Sequence, residues 1–305
     1  MISLIIPCYN EANTIDIYMS AMKKIEDIMS ERFNEKIEYI FVDDGSKDNT
    51  LKKIKNYDVK YISFSRNFGK EAGLYAGMQA AKGDYVAVMD VDLQDPPELL
   101  VQMYEILQSD DYDCVATKRG DRAGEPPVRS FFAKCFYTLI NSISQTEIID
   151  GARDYRLMKR KMVDAILELN EYNRFSKGLF GWVGFNTKWL EFENRERSAG
   201  KTKWSFWKLV MYSLDGIMAF SVVPLAIAGV IGIILCLLAI IFACVIVVKT
   251  LVYGDPVAGY PSLVCIILLL SGIQLFAIGV ISQYISKIYL ECKKRPIYIV
   301  KDSNI

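Results

Sequence analysis

Two long apolar runs towards the C-terminal end limit what this chain can fold into more than any other feature. One extends from about Ile217 to Val248, with a proline near its start, and the other from about Leu263 to Ile285. A helix needs about 20 residues to cross the hydrocarbon core of a bilayer, where a backbone can satisfy its polar groups only by pairing them internally. Two such runs in succession are a poor match to the buried core helices of a soluble protein. The segment between them, KTLVYGDPVAGYPS, is short and carries Gly and Pro, so residues 216–290 read as a transmembrane hairpin. Gly229, Gly232, Gly272 and Gly279 offer small surfaces for close helix packing or homo-oligomer contact.

The flanking charges set an expected orientation. Lys201, Lys203 and Lys208 precede the first run and Lys287, Lys293, Lys294 and Arg295 follow the second, whereas the loop holds only Lys249. Positive charge collects on the cytoplasmic side. Residues 1–215 and the tail at 291–305 are therefore expected in the cytoplasm, with the chain integral to a bacterial plasma membrane. The tail contains RPIYIV, a short strand pattern that either returns to the N-terminal part or pairs with a neighbouring subunit. The N-terminus, MISLIIPCYNEAN, has no basic region and too short an apolar run for a signal peptide.

Composition removes several functions. Lys+Arg and Asp+Glu number 36 each, so no net field points to nucleic acid. The absence of histidine excludes His-based triads, His-ligated zinc and His general bases. The seven cysteines form no C-x-x-C pair, and three lie in apolar segments, which fits a reducing cytosolic face.

Before residue 217 the chain alternates strands and helices. Ser3 to Ile6 is a buried strand pattern ended by Pro7, and a helix follows with Asn13 or Thr14 as its N-cap. IEYIFVDD, VKYISFS and Tyr85 to Met89 are further strands, separated by the helical LKKIKNY and the Ala/Gly-rich GKEAGLYAGMQAAKG. Such alternation implies an α/β domain with a mainly parallel sheet, whose ligands bind at the carboxyl ends of the strands. That edge gathers Tyr9, Asn10 and Glu11 after the first strand, Asp43 and Asp44 after the second, and Asp90, Asp92, Gln94 and Asp95 after the fourth. Close carboxylates repel unless something positive stands among them. A hard divalent cation, Mg2+ or Mn2+, holding the diphosphate of a nucleotide-sugar meets that need with oxygen ligands.

The middle segment TKRGDRAGEPPVRSFFAKCFYTLINSIS interleaves Lys118, Arg119, Arg122, Arg129 and Lys134 with Phe131, Phe132, Phe136, Tyr137 and Ile140. Such a pattern suits a core-packed helix with a solvated side. Beside a membrane anchor it also suits an amphipathic helix in the lipid interface, over about 125–146, that offers arginines to a phosphate headgroup. A lipid phosphate acceptor is already ionised near neutral pH, with a second pKa of about 6, so it needs cations rather than a general base.

IPCYNEANTI, VDDGSKDNT, SRNFGKEAGLYAGMQAAKGDYVAVMDVDLQDPPE and DYRLMKRK together resemble the family 2 glycosyltransferases of GT-A (Rossmann-like) fold. The nearest likeness is to the polyprenyl-phosphate glycosyltransferases, the group of bactoprenol glucosyltransferases and dolichyl-phosphate mannose synthases. The resemblance implies that Pro7, Tyr9 and Glu11 surround the nucleoside, with Asp43 at the base or ribose. It implies that Asp90, Asp92 and Gln94 surround the metal and diphosphate. Asp154 in GARDYRL matches the family's acid before an aromatic–Arg pair, and is expected near the acceptor or the sugar; a loop acid paired with Arg153 or Arg156 is the alternative. NRFSKGLFGWVGF and RERSAGKTKW resemble segments that close over the site, which adds Arg174, Arg197 and Lys201 as candidate cations for the acceptor phosphate. The activity implied is transfer of one hexose, best matched by UDP-glucose, to polyprenyl phosphate. GDP-mannose-dependent transfer and a non-catalytic membrane adaptor are the alternatives. A processive polysaccharide synthase is disfavoured because no Q-x-x-R-W motif is present.

Overall fold

The computed structural model describes residues 1–109, 111–120, 137–138, 140–144, 148–192, 217–218, 221–253 and 259–305. They fall into two units, Met1–Ala219 with Arg295–Ile305, and Phe220–Lys294.

In the first unit the chain runs through β1 (Ile2–Cys8), α1 (Ile15–Phe33), β2 (Ile37–Asp43), α2 (Thr50–Ile54), β3 (Lys60–Phe64), α3 (Lys70–Ala80), β4 (Tyr85–Val88) and α4 (Leu99–Ser109). It continues through β5 (Cys114–Arg119), β6 (Ala152–Lys159), α5 (Arg160–Glu168), α6 (Ser176–Trp182) and β7 (Thr187–Phe192). The described strands, with β8 (Val300–Ser303), form one sheet in the order β7-β5-β6-β4-β1-β2-β3-β8. The pairs β1–β2, β1–β4, β2–β3 and β5–β7 are parallel, while β6 runs against β4 and β5, and β8 against β3. The chain moves outward from β1 to β3 and then returns to place β4 on the other side of β1. The carboxyl ends of β1 and β4 therefore flank the point where the strand order reverses.

Alternation along each strand divides the core between the two faces of the sheet. Leu4, Ile6 and Phe41 pack with Tyr18, Met22 and Leu100 on one face. Ile5, Ile40 and Val42 pack with Leu74, Met78 and Met162 on the other. Small residues let α3 lie close to the sheet, and at Gly77 an added Cβ would come 2.2 Å from Cγ2 of Ile5.

Three sequence expectations shift. β1 continues through Pro7 to Cys8 instead of ending at Ile6, with Pro7 opposite Val42. This is tolerable because Pro lacks only a donor, and its ring lies near Gly73, where no Cβ stands in the way. Thr14 does precede α1, but it makes no side-chain cap and its hydroxyl donates to Glu11 Oε2 at 2.9 Å. The tail strand begins at Val300, later than RPIYIV suggested, and it joins the chain's own sheet at β3. Tyr298 stacks on Phe64 with ring centroids 4.8 Å apart just before it.

The second unit holds α7 (Val223–Tyr253) and α8 (Tyr260–Cys292). Both begin beside a proline, Pro224 and Pro261, which suits a first helical turn because the missing N–H has no partner there anyway. This accounts for a first helix that starts at Val223, six residues later than the apolar run. Stretches Val223–Phe242 and Leu269–Cys292 are long and apolar enough to cross a membrane, with mean hydropathies of 3.1 and 1.5. Their large side chains are exposed; Leu275 is 69% accessible.

Candidate active site

The loop after β1 and the loop after β2 are knitted together. Asn10 takes a left-handed backbone (φ 54°), which Asn tolerates better than most residues. Its N–H donates to Ser46 Oγ at 2.9 Å, and its Oδ1 accepts from Lys47 N at 2.8 Å. The N–H of Glu11 donates to Thr50 Oγ1 at 2.8 Å. Tyr9 is half-buried beside them. Asp43, buried at the end of β2, accepts from Ser63 Oγ at 2.7 Å and from Ser46 N at 3.1 Å.

Asp44 ties the end of β2 to the start of α3. Its two oxygens accept from the N–H groups of Phe68 (2.6 Å) and Gly69 (3.0 Å), just ahead of α3. Burial pushes its pKa up to about 6, with those two N–H groups opposing the rise. An acid turned onto backbone donors in this way fixes the loop that leads into α3.

After β4 the acids meet residues brought from elsewhere by the antiparallel β6. Val88 pairs with Arg156, so two steps beyond that pair Asp90 leaves β4 where, two steps before it, Asp154 enters. Lys70, the first residue of α3, reaches between them. Its Nζ lies 2.6 and 2.8 Å from the two oxygens of Asp90 and 2.5 Å from Asp154 Oδ2. Burial works against the ammonium charge, but Asp154 and Asp90 outweigh it and raise the Lys70 pKa above the usual lysine range. Burial would likewise raise the Asp154 carboxyl, but Lys70 and Lys177 overcome it and hold it well below the usual carboxylate range. Asp154 is thus a strand residue paired with Lys70, with the Arg156 guanidinium adding to the positive field at its carboxylate.

The remaining acids are held by a tight loop. Leu93 has φ 55°, a costly left-handed conformation for a branched side chain and of the kind that gathers at functional sites. It folds Gln94 back so that its N–H donates to Asp92 Oδ1 at 3.2 Å. Arg153 donates from Nε to Asp95 Oδ1 at 2.8 Å and from Nη2 to Gln94 Oε1 at 3.3 Å. Arg156, buried beneath the Phe180 ring, donates to the carbonyls of Arg153 and Asp154 and so steadies the backbone that carries Asp154.

Glu71 follows Lys70 and accepts hydrogen bonds from both the N–H and the hydroxyl of Ser176 at the start of α6. Burial raises its pKa to about 6 against those bonds. Arg174, a candidate cation for the acceptor phosphate, lies at the end of α5 within the field of the Glu71 carboxylate. It is 7% exposed, sits over the Tyr75 ring and donates to the carbonyls of Leu169 and Ile166. Its planar guanidinium caps the end of α5 and stacks on an aromatic. Arg119 ends β5, where its N–H donates to Gly151 O. Arg122, Arg129, Arg197 and Lys201 lie outside the described residues. Of the expected interfacial helix, residues 137–138 and 140–143 are described and helical, with Ile140 fully buried.

Lys70, Arg153 and Glu71 are the site residues that motif reading missed. One signal for Lys70 was in the sequence. A cation opening a helix opposes the helix dipole, and it needs a local reason such as these two carboxylates.

Comparison with known proteins gives the family and the fold. The family model "Glycosyl transferase family 2" matches residues 3–167. A prophage bactoprenol glucosyl transferase homolog of Escherichia coli (strain K12) is 41% identical over 305 residues, covering 98% of each chain. The bactoprenol glucosyl transferase of Shigella phage SfII is 40% identical over 308 residues, covering 99% of this chain and 98% of its own. The mannosyl-3-phosphoglycerate synthase structure from Rubrobacter xylanophilus superposes with a TM-score of 0.50 at 17% identity, covering 72% of each chain, and shares the fold. A strand order that reverses beside β1, an acid loop after β4 and a family match across that same stretch lead to one assignment: the chain belongs to glycosyl transferase family 2 and is a glycosyltransferase of GT-A fold.

Proposed function

We propose that this enzyme transfers a single glucosyl residue from UDP-glucose to undecaprenyl phosphate at the cytoplasmic face of a bacterial membrane, inverting the anomeric centre, for modification of cell-envelope glycans. The observation that carries this reading is the similarity to bactoprenol glucosyl transferases over 98% of the chain. That match spans the apolar helices as well as the catalytic unit, and a polyprenyl acceptor is itself a membrane lipid.

Pro7, Tyr9, Asn10, Glu11 and Asp43 would receive the nucleoside at the ends of β1 and β2. The carboxylates of Asp90 and Asp92 and the amide oxygen of Gln94 are hard oxygen donors of the kind Mg2+ or Mn2+ takes. When bound there, such an ion would supply positive charge to the leaving diphosphate. Among the described residues no three acids are already gathered as a metal cage, which fits a site completed by substrate phosphates.

The acceptor phosphate needs no proton removed, since it is ionised at about pH 6 and above. One of its oxygens attacks the anomeric carbon, the bond to the nucleoside diphosphate breaks, and the configuration inverts. Asp154, whose carboxyl Lys70 and Lys177 hold below the usual carboxylate range, would position the reactants, since the ionised acceptor leaves no proton for a base to take. Arg119, Arg122, Arg129, Arg197 and Lys201 would hold the lipid phosphate beside the donor against like-charge repulsion, with the 125–146 segment lying in the interface.

The test is a membrane assay that pairs radiolabelled UDP-glucose, other UDP-hexoses and GDP-mannose with undecaprenyl and dolichyl phosphates. Glucose appearing in a lipid phosphate product, dependent on Mg2+ or Mn2+, is expected. Transfer only from GDP-mannose would replace the donor assignment, and no transfer to any lipid phosphate would remove the acceptor.

A further inference from the structure

Two of the cations among the site's acids are built differently. Arg153 and Asp95 are both largely buried, at 18% and 3% accessibility, and the planar guanidinium spans to Gln94 as well. That cation is locked. Lys70 is 38% accessible, and its partners Asp90 and Asp154 are 31% and 19% accessible. Its charge is a compact, strongly hydrated ammonium on a flexible stem. It also occupies an unfavourable first-turn position, where the helix dipole repels it. Only the carboxylates keep it there, and water can reach all three groups.

Lys70 also takes up both oxygens of Asp90. A divalent cation on Asp90 and Asp92, the reading proposed above and the one on which this inference rests, would meet the ammonium at that carboxylate. Two cations cannot share those oxygens at contact distance without strong repulsion.

We propose that Lys70 is an exchangeable internal counter-cation: it closes the acid site by bridging Asp90 and Asp154, and it must leave Asp90 for the divalent cation to bind. The unoccupied acids are thereby kept from repelling one another, and the protein holds their geometry until the ion arrives. Metal affinity is then reduced by the fraction of molecules in the lysine-closed form. If nine in ten are closed, removing the lysine tightens apparent binding about tenfold.

The experiment uses the full chain in detergent, with Mn2+ alone as the probe and free Mn2+ followed by electron paramagnetic resonance. Lys70→Gln should bind Mn2+ about tenfold more tightly than wild type, whereas Lys70→Arg, which keeps the charge, should not bind more tightly. A second measurement needs no variant. Acylation of Lys70 by an amine-directed reagent, read by peptide mass spectrometry, should speed up several-fold when Mg2+ is added to the wild type. Equal or weaker Mn2+ binding by Lys70→Gln, or Lys70 acylation unchanged or slowed by Mg2+, overturns the exchange while leaving the metal reading in place. Absence of Mn2+ binding by both wild type and Lys70→Gln, with transfer persisting in chelator, overturns both together.

Discussion

Arg153 Nε and Asp95 Oδ1 lie 2.8 Å apart, tying the first residues of β6 to the loop behind β4. Asp95 is 3% exposed, and Arg153 is the larger of the charges that offset its burial, ahead of Lys70. Arg153→Ala is expected to destabilise the catalytic unit by about 3–5 kcal/mol, the cost of stranding a buried charge. Arg153→Met combined with Asp95→Asn should recover most of that loss. Equilibrium unfolding of the two variants in mild detergent measures the difference, and equal losses would mean that the pair does not act as a unit.

Asp92 differs from its neighbours in being braced by the backbone N–H of Gln94. Asp92→Asn keeps the side-chain volume and that acceptor while removing one unit of negative charge. Transfer should fall by about 10²-fold or more, with thermal unfolding in the absence of metal nearly unchanged. Near-normal turnover at saturating Mn2+ would take Asp92 out of the metal set.

Glu71 sets a pH dependence whose sign follows from its raised pKa. An acid that holds its proton more tightly when folded adds stability that is present in full below its unfolded pKa, about 4.3. That stability fades as pH rises through about 6. Asp44 acts in the same window, so Glu71→Gln should remove only part of the decline. The expected result is a melting-temperature difference, variant minus wild type, that grows between pH 4.5 and 7. A difference flat across that range would show that Glu71 does not titrate there.

Gly77→Ala sets two effects against each other. Alanine in a helix gains about 1 kcal/mol over glycine, but its Cβ would stand 2.2 Å from Ile5 Cγ2 in the fully buried core. Overpacking of that kind costs about 1–3 kcal/mol, so the variant should be less stable than wild type. In an Ile5→Ala background the 2.2 Å contact is removed and the nearest remaining atom is the Cβ at 3.2 Å, so the same change should be much less destabilising. A thermal-melt double-mutant cycle reads the sign.

The tail is a working part of the sheet. β8 covers the β3 edge, Tyr298 stacks on Phe64, and its hydroxyl donates to Gln79 at 2.8 Å. Ending the chain after Arg295 should lower the melting temperature of the catalytic unit and raise its tendency to self-associate through the bared strand. Since β8 pairs with β3, a reporter after Ile305 should read the same side of the membrane as the catalytic unit. A reporter on the opposite side would be incompatible with that pairing.

Much of this protein was legible along the chain, because the signals involved are short-range. Apolar length announced the helices Val223–Tyr253 and Tyr260–Cys292, and strand–helix alternation announced β1 to β4 with acids at their ends. What local pattern could not carry was the partner of each charge. Lys70 meets Asp154 across 84 positions only because β6 inserts antiparallel between β4 and β5, and strand register is a property of the assembled sheet. The same assembly turns Asp44 onto the N–H groups of Phe68 and Gly69, lays Arg174 on Tyr75, and brings the tail back to β3. Residue types and local periodicity determined that acids would gather at one edge of a parallel-type sheet. The tertiary structure decided that two of them would face a lysine, because only folding brings charges so far apart in the chain within reach of one another.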